Sequence, residues 1–414
     1  MRRNPDPPSR PGRDPDGPRV AVVGASLAGL RAAEQLRAAG HAGPITVYGD
    51  EPYLPYNRPP LSKDLLAAPG AVTPAELHER AAFRLRARVA DVEFRLGTAV
   101  TRADLERAEL TLDGGETVRF DGLVAATGLR PRRLAVAGPA NNRFALRTLD
   151  DCAALRDALR PDARVVVAGA GFVGCEVAAT ARALGCRVTV VEPAAEPLLA
   201  VLGEALAAGV RRHHENAGIA FRTGRCVTAV RAGAVTLDDG TDLAADVLVE
   251  ALGSLPNTEW LAGNGLDLTD GVRCANTLQA YGAGNLVAVG DVARFPNPRT
   301  GDGVPRRVEH WSMPADTARR AAATLTDLLA GRAPDPTPFR PVPSFWSDQG
   351  GLRLQSFGAP ALAGAVRIAE GDPDRPADGL LATYHRGSAH VGTVAINLPP
   401  SRQAPLRAAF TAAA

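Results

Sequence analysis

The sequence predicts an α/β protein with two Rossmann-like three-layer domains and a small α+β domain at its C-terminus. Three observations predict this fold: two glycine-rich turns that each join an apolar run to a helical pattern, an internal duplication, and a C-terminal segment with strand and hairpin signals. The chain has 414 residues, of which 45% are hydrophobic and 22% charged. It is long enough for two or three domains and has the composition of a globular protein.

The glycine-rich turns cover residues 24–29 (GASLAG) and 169–174 (GAGFVG). The short runs before them are apolar and rich in valine, which is typical of parallel strands buried on both faces. After each turn, small and aliphatic residues at helical spacing continue to Gly40 and Gly185, where a glycine can close a helix. A second β-branched run follows each time, so both segments predict a strand, a helix and a strand.

A turn of this kind binds the pyrophosphate of a dinucleotide. Its first glycine allows a tight turn, its second lets the backbone approach the pyrophosphate, and its third packs the helix against the strand. The helix N-terminus offers free N–H groups and a partial positive charge to the anion. Ser26 replaces the second glycine in the first copy, and serine is small enough for the same approach. Two copies therefore predict two bound nucleotide cofactors.

The turns belong to a duplication that one insertion interrupts. Residues 19–40 align with residues 164–185. The later Asp-Gly hairpins and return strands of the two halves also align, but there fewer residues separate the corresponding positions of the first and second copies. The first half must therefore contain extra residues, and residues 50–63 with those that follow are the best candidate. This segment is rich in proline and contains Lys63, the only lysine of the chain. We expect a rigid loop over a ligand, with a surface excursion as the alternative for residues 64–74.

The sequence after the duplication predicts a buried strand that ends in Gly290-Asp291, a helix over residues 314–329 and a proline-dense linker. The expected divisions are a disordered tail at 1–18, a discontinuous first nucleotide-binding domain at 19–128 and 254–330, a second nucleotide-binding domain at 129–253, a linker at 331–343 and a small C-terminal domain at 344–410.

Composition excludes several classes of protein. A net charge of +2 is too small to create the basic electrostatic field of a nucleic-acid-binding protein, and no apolar run is long enough to span a bilayer. The five cysteines form no CxxC and show no metal-binding spacing, so we expect no metal and a reducing, cytoplasmic location. The adjacent His213 and His214 are expected on the solvated face of a helix. A hydrolase is disfavoured because Gly24-x-Ser26 does not continue to the GxSxG of a nucleophile elbow.

Glu192 ends the second strand of the second copy, near the spacing of about 20 residues at which an acid binds the adenine ribose. A carboxylate at this position accepts a hydrogen bond from the 2′-OH and repels a 2′-phosphate. The second copy is therefore expected to prefer NADH over NADPH.

From residue 19 to residue 398 the chain resembles the ferredoxin reductases of bacterial oxygenase systems, the putidaredoxin-reductase type of the glutathione-reductase-like flavoproteins. The motifs that carry the resemblance are the two glycine turns, GDEP at 49–52, RPPLSK at 58–63, ATG at 126–128, VGD at 289–291, VEHW at 308–311 and FWSDQ at 345–349. It implies FAD on the first copy and NADH on the second. Gly350 and Gly351 depart from the family pattern, in which a bulkier aromatic residue is usual there.

The resemblance also implies the residues of the site. Those expected to bind FAD are Gly24, Ser26, Ala28, Gly29, Asp50, Arg58, Lys63, Val100, Thr127, Gly128, Arg147, Asp291, Glu309 and Trp311. Those expected to bind NAD are Gly169, Gly171, Val173, Gly174, Glu176, Glu192 and Gly253. Lys63 and Glu176 are the expected catalytic residues, paired beside the flavin N5 atom where the hydride arrives.

The expected activity is that of an NADH:ferredoxin oxidoreductase, which passes single electrons to a small acidic iron–sulfur ferredoxin that feeds a haem-thiolate monooxygenase or a ring-hydroxylating dioxygenase. Disulfide reductases and peroxidases of this fold carry cysteine near residues 57–63, and this chain has none before Cys152. An NADH oxidase, or a reductase of quinone or another small acceptor, is the alternative, and the oligomeric state stays open. A basic docking surface for the ferredoxin is expected from six arginines: Arg294, Arg299, Arg306, Arg307, Arg319 and Arg320.

Overall fold

The computed structural model describes residues 14–70 and 72–412. Most of the expected disordered tail, residues 1–13, lies outside the described residues. Residues 14–18 form a turn in which Asp14 N donates to Ala42 O at 3.2 Å. No helix within the described ranges is both long and apolar enough to cross a bilayer.

The elements of the first copy are the helices and strands up to residue 131. They are β1 (Val20–Val23), α1 (Leu27–Ala38), β2 (Ile45–Tyr48), α2 (Pro74–Ala81), β3 (Glu93–Arg95), β4 (Val100–Asp104), β5 (Glu109–Leu112), β6 (Thr117–Arg119), β7 (Gly122–Ala125) and β8 (Leu129–Pro131).

The second copy repeats the pattern with two further helices. Its elements are β9 (Arg143–Phe144), α3 (Leu149–Ala158), β10 (Arg164–Ala168), α4 (Phe172–Ala183), β11 (Arg187–Glu192), α5 (Leu199–Leu202), α6 (Glu204–Asn216), β12 (Ala220–Thr223), β13 (Val227–Arg231), β14 (Ala234–Leu237), β15 (Asp242–Ala244), β16 (Val247–Glu250) and β17 (Ser254–Pro256).

The remaining elements return to the first copy and then build the C-terminal unit. They are β18 (Val272–Arg273), β19 (Leu286–Ala288), β20 (Ala293–Pro296), β21 (Pro305–Arg306), α7 (Met313–Leu329), β22 (Ser344–Gln349), β23 (Leu352–Gly358), β24 (Ala365–Glu370), β25 (Leu380–Arg386), β26 (Ala389–Ile396) and α8 (Pro400–Ala412).

The two copies form equivalent parallel sheets. The first has the order β19-β7-β1-β2-β3 and the second the order β9-β16-β10-β11-β12, so that β1 and β10 occupy the same central place. Each copy also carries a three-stranded antiparallel sheet, β4-β5-β6 in the first and β13-β14-β15 in the second. The structure therefore confirms the predicted duplicated α/β fold.

Glycine lets each central strand and its helix pack closely. A Cβ atom at Gly29 would lie 1.9 Å from Gly24 O, and one at Gly174 would lie 2.0 Å from Gly169 O. No side chain larger than hydrogen fits at such distances. The third glycine of each turn is therefore required by the packing of α1 and α4 against their own turns.

The C-terminal unit is a five-stranded antiparallel sheet of order β22-β23-β26-β25-β24, followed by α8. Gly350 and Gly351 form the two-residue connection between β22 and β23, with φ angles of +55° and +92°. A tight hairpin turn with positive φ at both central residues favours glycine strongly. Backbone geometry thus explains the two glycines that depart from the family pattern.

Residues 64–74 are a surface stretch that is anchored at four buried positions, Leu65, Leu66, Ala68 and Val72, while Asp64, Ala67, Pro69, Gly70 and Thr73 are exposed. Leu65 and Leu66 are buried in one apolar cluster with Leu149 and Leu155 of α3 and with residues of α4 and β10. The burial follows from the sequence, because the segment has enough leucine and alanine to cover the apolar side of α3. The insertion of the first copy therefore completes the core of the second copy.

Candidate active site

A cavity of 590 Å³ opens where the two copies meet the C-terminal sheet. Its walls come from the start of α1, the inserted loop, the start of α4, residues 306–311 and the strand β22. A cavity of this size is within the range that binds small ligands and parts of cofactors.

Two of the helices that line this cavity, α1 and α4, have free N-terminal ends. Among the described residues, no side chain caps α1 or α4, and neither helix has an acidic residue in its first turn. By contrast, α2 and α3 begin with complete capping boxes formed by Thr73 with Glu76 and by Thr148 with Asp151. Unpaired N–H groups at a helix N-terminus bind anions, so α1 and α4 are each suited to a pyrophosphate.

The middle position of each turn leaves room for a ligand. A Cβ atom built at Gly171 meets no described atom within 4 Å. Its φ of −74° is one that any residue can adopt, so neither packing nor backbone geometry demands glycine there. Ser26 stands at the corresponding N-cap of α1 and lines the cavity.

The structure brings about half of the predicted site residues to the cavity wall: Ser26, Ala28, Arg58, Lys63, Gly128, Arg147, Val173, Glu176, Asp291, Glu309 and Trp311. The others lie outside its wall: Gly24, Gly29, Asp50, Val100, Thr127, Gly169, Gly171, Gly174, Glu192 and Gly253. Most of this second group belongs to the glycine turns or to the ends of the second strands, where the adenosine part of a dinucleotide extends away from its reactive ring.

Lys63 and Glu176 form an ion pair at the cavity wall. Lys63 Nζ lies 2.6 Å from Glu176 Oε2, and both side chains are largely buried. Ser62 Oγ donates to Glu176 Oε2 at 2.5 Å, and Ser347 Oγ donates to Glu176 Oε1 at 2.5 Å. The carboxylate thus has donors on both oxygens, and the lysine keeps a fixed place on the wall.

The cavity wall also holds Asp291, Arg58 and Arg147. Burial raises the pKa of Asp291 to about 6, although Arg147 nearby opposes this shift. Arg58 Nη2 lies 2.5 Å from Glu51 Oε1, and the hydroxyl of Tyr56 donates to Glu51 Oε2 at 2.6 Å. These buried polar groups beside an open cavity fit the hydrogen-bonding ring and ribityl chain of a flavin.

Glu192 lies against the second glycine turn. Its carboxylate accepts from Ala170 N at 2.6 Å and from Ala194 N at 2.9 Å. This contact fixes the carboxylate at the end of β11 next to the uncapped start of α4. The arrangement fits a group that accepts a hydrogen bond from a ribose hydroxyl.

Three ring side chains of the cavity wall, Phe172, Phe345 and His310, were not predicted as site residues. Phe345 lies with its ring centroid 4.5 Å from that of Phe172 and 5.0 Å from that of His310. Burial lowers the pKa of His310 to about 4, and its Nδ1 has no hydrogen-bond partner among the described residues. All three residues belong to the motifs that carry the family resemblance, so the sequence marked these positions, but it indicated no role for them.

His214 corrects the expectation of two solvated histidines. Its side chain is 1% exposed, and its Nε2 lies 3.1 Å from Gln349 Oε1, whereas His213 is half-buried. The helical spacing could have revealed this, because Leu206, Val210 and His214 follow one another at intervals of four. Burial lowers the pKa of His214 to about 4.

The six arginines expected to form a basic surface are largely neutralised within the chain. Arg294 lies 2.5 Å from Asp267, and Arg307 lies 2.7 Å from Asp270 and 2.8 Å from Glu309. Arg306, Arg319 and Arg320 also have carboxylate partners, and Arg299 donates to backbone carbonyls. Five of the six arginines thus have a carboxylate partner within the chain, which reduces the net positive charge of the cluster, and their role in docking a ferredoxin stays a prediction.

The thiols are not placed for redox chemistry. Among the described residues, none of those that line the cavity is a cysteine. Burial raises the pKa of Cys152 to about 12 and raises the pKa of Cys175 as well, so both thiols stay protonated at neutral pH.

Known proteins share this architecture. A family model described as pyridine nucleotide-disulphide oxidoreductase matches residues 18–322. The anthranilate 1,2-dioxygenase system ferredoxin–NAD(+) reductase component of Burkholderia cepacia is 38% identical over 365 residues, which cover 86% of this chain and 85% of the relative. Putidaredoxin reductase of Pseudomonas putida is 36% identical over 350 residues, which cover 82% and 80%.

Among solved structures, the covalent complex of putidaredoxin reductase with putidaredoxin superposes with a TM-score of 0.84. Its sequence identity is 32%, and the match covers 94% of this chain and 92% of that chain. These matches confirm the resemblance that the motifs indicated. The chain therefore belongs to the pyridine nucleotide-disulphide oxidoreductase family.

Proposed function

We propose that the chain is an FAD-dependent oxidoreductase that takes hydride from NADH and passes single electrons to a small acidic iron–sulfur ferredoxin serving an oxygenase. The observation that carries the proposal is the Lys63–Glu176 pair in a cavity bordered by two uncapped helix N-termini. The relatives support it, since they are named as reductase components of dioxygenase systems and as putidaredoxin reductase.

The first copy would hold FAD. The N-terminus of α1 and Ser26 would bind the pyrophosphate, Asp50 and Val100 the adenosine, and Arg147, Asp291 and Trp311 the part that enters the cavity. When bound, FAD would supply the N5 atom that accepts hydride. Lys63 would place a positive charge where reduction adds negative charge, and Glu176 would hold Lys63 in position.

The second copy would bind NADH. The open space at Gly171 and the free N–H groups at the start of α4 would take its pyrophosphate. Glu192 would accept from the adenine ribose and disfavour a 2′-phosphate. Val173, which is 44% exposed on the cavity wall, would contact the nicotinamide end.

Electrons would leave the flavin directly, without a thiol relay, because the cavity lacks cysteine among the described residues. We assign residues 19–128 and 254–330 to the FAD-binding domain, 129–253 to the NAD-binding domain and 344–410 to the interface domain. We also propose a cytoplasmic location, which the free, mostly buried cysteines support.

The proposal is tested by the absorption spectrum of the purified protein, followed by NADH-driven reduction of cytochrome c with and without candidate ferredoxins. A flavin spectrum and strict dependence on ferredoxin are expected. Rapid NADH oxidation with oxygen or quinone, unchanged by ferredoxin, would establish the alternative of an oxidase or small-acceptor reductase. Testing ferredoxins from both kinds of oxygenase system would assign the downstream partner.

A further inference from the structure

A chain of buried polar side chains extends away from the Lys63–Glu176 pair. Ser347 Oγ lies 2.5 Å from Glu176 Oε1, Gln349 Nε2 lies 2.9 Å from Ser347 Oγ, and Gln349 Oε1 lies 3.1 Å from His214 Nε2. Ser347, Gln349 and His214 are each at most 1% exposed. Because these side chains are shielded from bulk solvent, the hydrogen bonds among them orient the chain.

The chemistry of the groups fixes the direction of every hydrogen bond in the chain. An ionised Glu176 can only accept, so Ser347 must donate its hydroxyl proton to the carboxylate. The Ser347 oxygen must then accept from the amide nitrogen of Gln349, which turns the amide oxygen toward His214. His214 must therefore carry its proton on Nε2 and donate it. All three donors point toward Glu176.

The chain joins three separate parts of the fold. Glu176 lies on α4, Ser347 and Gln349 lie on alternate positions of β22, and His214 lies on α6. β22 ends at Gln349, the hairpin turn of Gly350 and Gly351 follows at once, and His213 Nε2 lies 2.7 Å from Gly350 O. The C-terminal sheet is thereby fixed to the same carboxylate that holds the inserted loop through Ser62 and Lys63.

We propose that the Ser347–Gln349–His214 chain positions the Glu176 carboxylate and, through it, the Lys63 ammonium for hydride transfer. Ser347 is the residue that acts directly on Glu176, and Gln349 and His214 orient Ser347. The inference deepens the proposed function and rests on it, because the effect of the chain is measured at the flavin.

The first experiment does not depend on the flavin reaction. Two-dimensional ¹H–¹⁵N spectra of the holoenzyme labelled in histidine report which ring nitrogen of His214 carries the proton. We expect a neutral ring with the proton on Nε2 near neutral pH, and His214→Gln assigns the signal. A proton on Nδ1 would reverse the chain and overturn the proposal, whether or not the enzyme reduces a ferredoxin.

The second experiment measures flavin reduction by NADH in a stopped-flow instrument for Ser347→Ala and His214→Phe. Each removes one donor, which leaves a buried acceptor unpaired, so we expect the limiting rate constant per bound flavin to fall about tenfold. The Kd for NADH should stay within about twofold of the original, since the chain contacts no part of the second glycine turn. The flavin reduction potential should shift to a more negative value, because a displaced Lys63 no longer stabilises the reduced ring.

Two variants serve as controls. His214→Gln keeps an N–H donor and should retain most of the rate that His214→Phe loses, and His213→Ala changes the neighbouring half-buried ring, which is outside the chain. A purely structural role would lower the thermal midpoint and the flavin content of His214→Phe but leave the rate and the potential of the remaining holoenzyme unchanged. That result, or the same rate in Ser347→Ala and the original protein, would overturn the proposal.

Discussion

Two single substitutions in the second glycine turn separate a glycine needed for packing from a glycine needed for a ligand. Gly171 and Gly174 are three residues apart at the start of α4, and each can be replaced by alanine, which adds one methyl group. At Gly171 the added Cβ meets no described atom within 4 Å, whereas at Gly174 it would lie 2.0 Å from Gly169 O and 3.3 Å from the Cβ of Ala251.

The expected free energies follow from these distances. Gly174→Ala must push α4 away from its turn by about 1 Å, and overpacking of this kind costs about 3 kcal/mol or more when backbone must move. In Gly171→Ala the loss of a favourable N-cap residue destabilises the fold, and the reduced conformational freedom of the unfolded chain stabilises it. These effects nearly cancel, so the free energy of unfolding should change by less than about 1 kcal/mol. Its methyl group, however, enters the space proposed for the NADH pyrophosphate.

Thermal unfolding and NADH titration of both variants measure these effects. We expect Gly174→Ala to unfold several degrees lower, and Gly171→Ala to unfold near the original temperature while it binds NADH at least about tenfold more weakly, which corresponds to 1.4 kcal/mol. Gly171→Ser, the residue found in the first copy, should lie between Gly171→Ala and the original in NADH affinity. Unchanged NADH affinity in Gly171→Ala would refute the placement of the nucleotide at this turn.

Three further predictions concern single side chains. Lys63→Met should slow flavin reduction by NADH by about 10- to 100-fold, because a fixed positive charge is lost, and unchanged stopped-flow kinetics would remove Lys63 from this role. Glu192→Ala should reduce the preference for NADH over NADPH by about tenfold, measured as the ratio of kcat/KM values, and an unchanged ratio would contradict the ribose contact. Burial lowers the pKa of His214 to about 4, so the ring binds a proton at a higher pH in the unfolded chain than in the folded protein. The folded state therefore loses stability as the pH falls through 6.5, the pKa of the unfolded chain. His214→Gln should therefore lose less stability than the original protein between about pH 7 and pH 5, by about 2 kcal/mol, and parallel unfolding curves would count against the buried neutral ring.

The fold was predictable because its signals are local. The glycine turns, the apolar strands before them and the Asp-Gly hairpins each fix a short element, and their repetition revealed the duplication. The family motifs also predicted Lys63 and Glu176 as a pair, and the structure places their charged atoms 2.6 Å apart.

The errors concern contacts between elements distant in sequence. His214 was expected in solvent together with the adjacent His213; the helical spacing indicated a buried position, but Gln349, its hydrogen-bond partner, comes 135 residues later in the chain. The charge balance of the arginine cluster could not be predicted, because Arg294 and Arg307 form ion pairs with Asp267 and Asp270, which lie on a different loop. The role of Ser347 could not be predicted either, because it depends on the packing of β22 against α4.

The inserted loop also has a consequence for how the protein can be divided. It belongs to the first copy by sequence, yet Leu61, Leu66 and Leu77 lie in the same apolar cluster as α3 and α4 of the second. A fragment of residues 129–253 would therefore expose that surface to water and should aggregate or remain partly unfolded when expressed alone. The duplicated halves have become a single cooperative unit, so loss of structure in either one should release the Lys63 loop and, with it, the flavin.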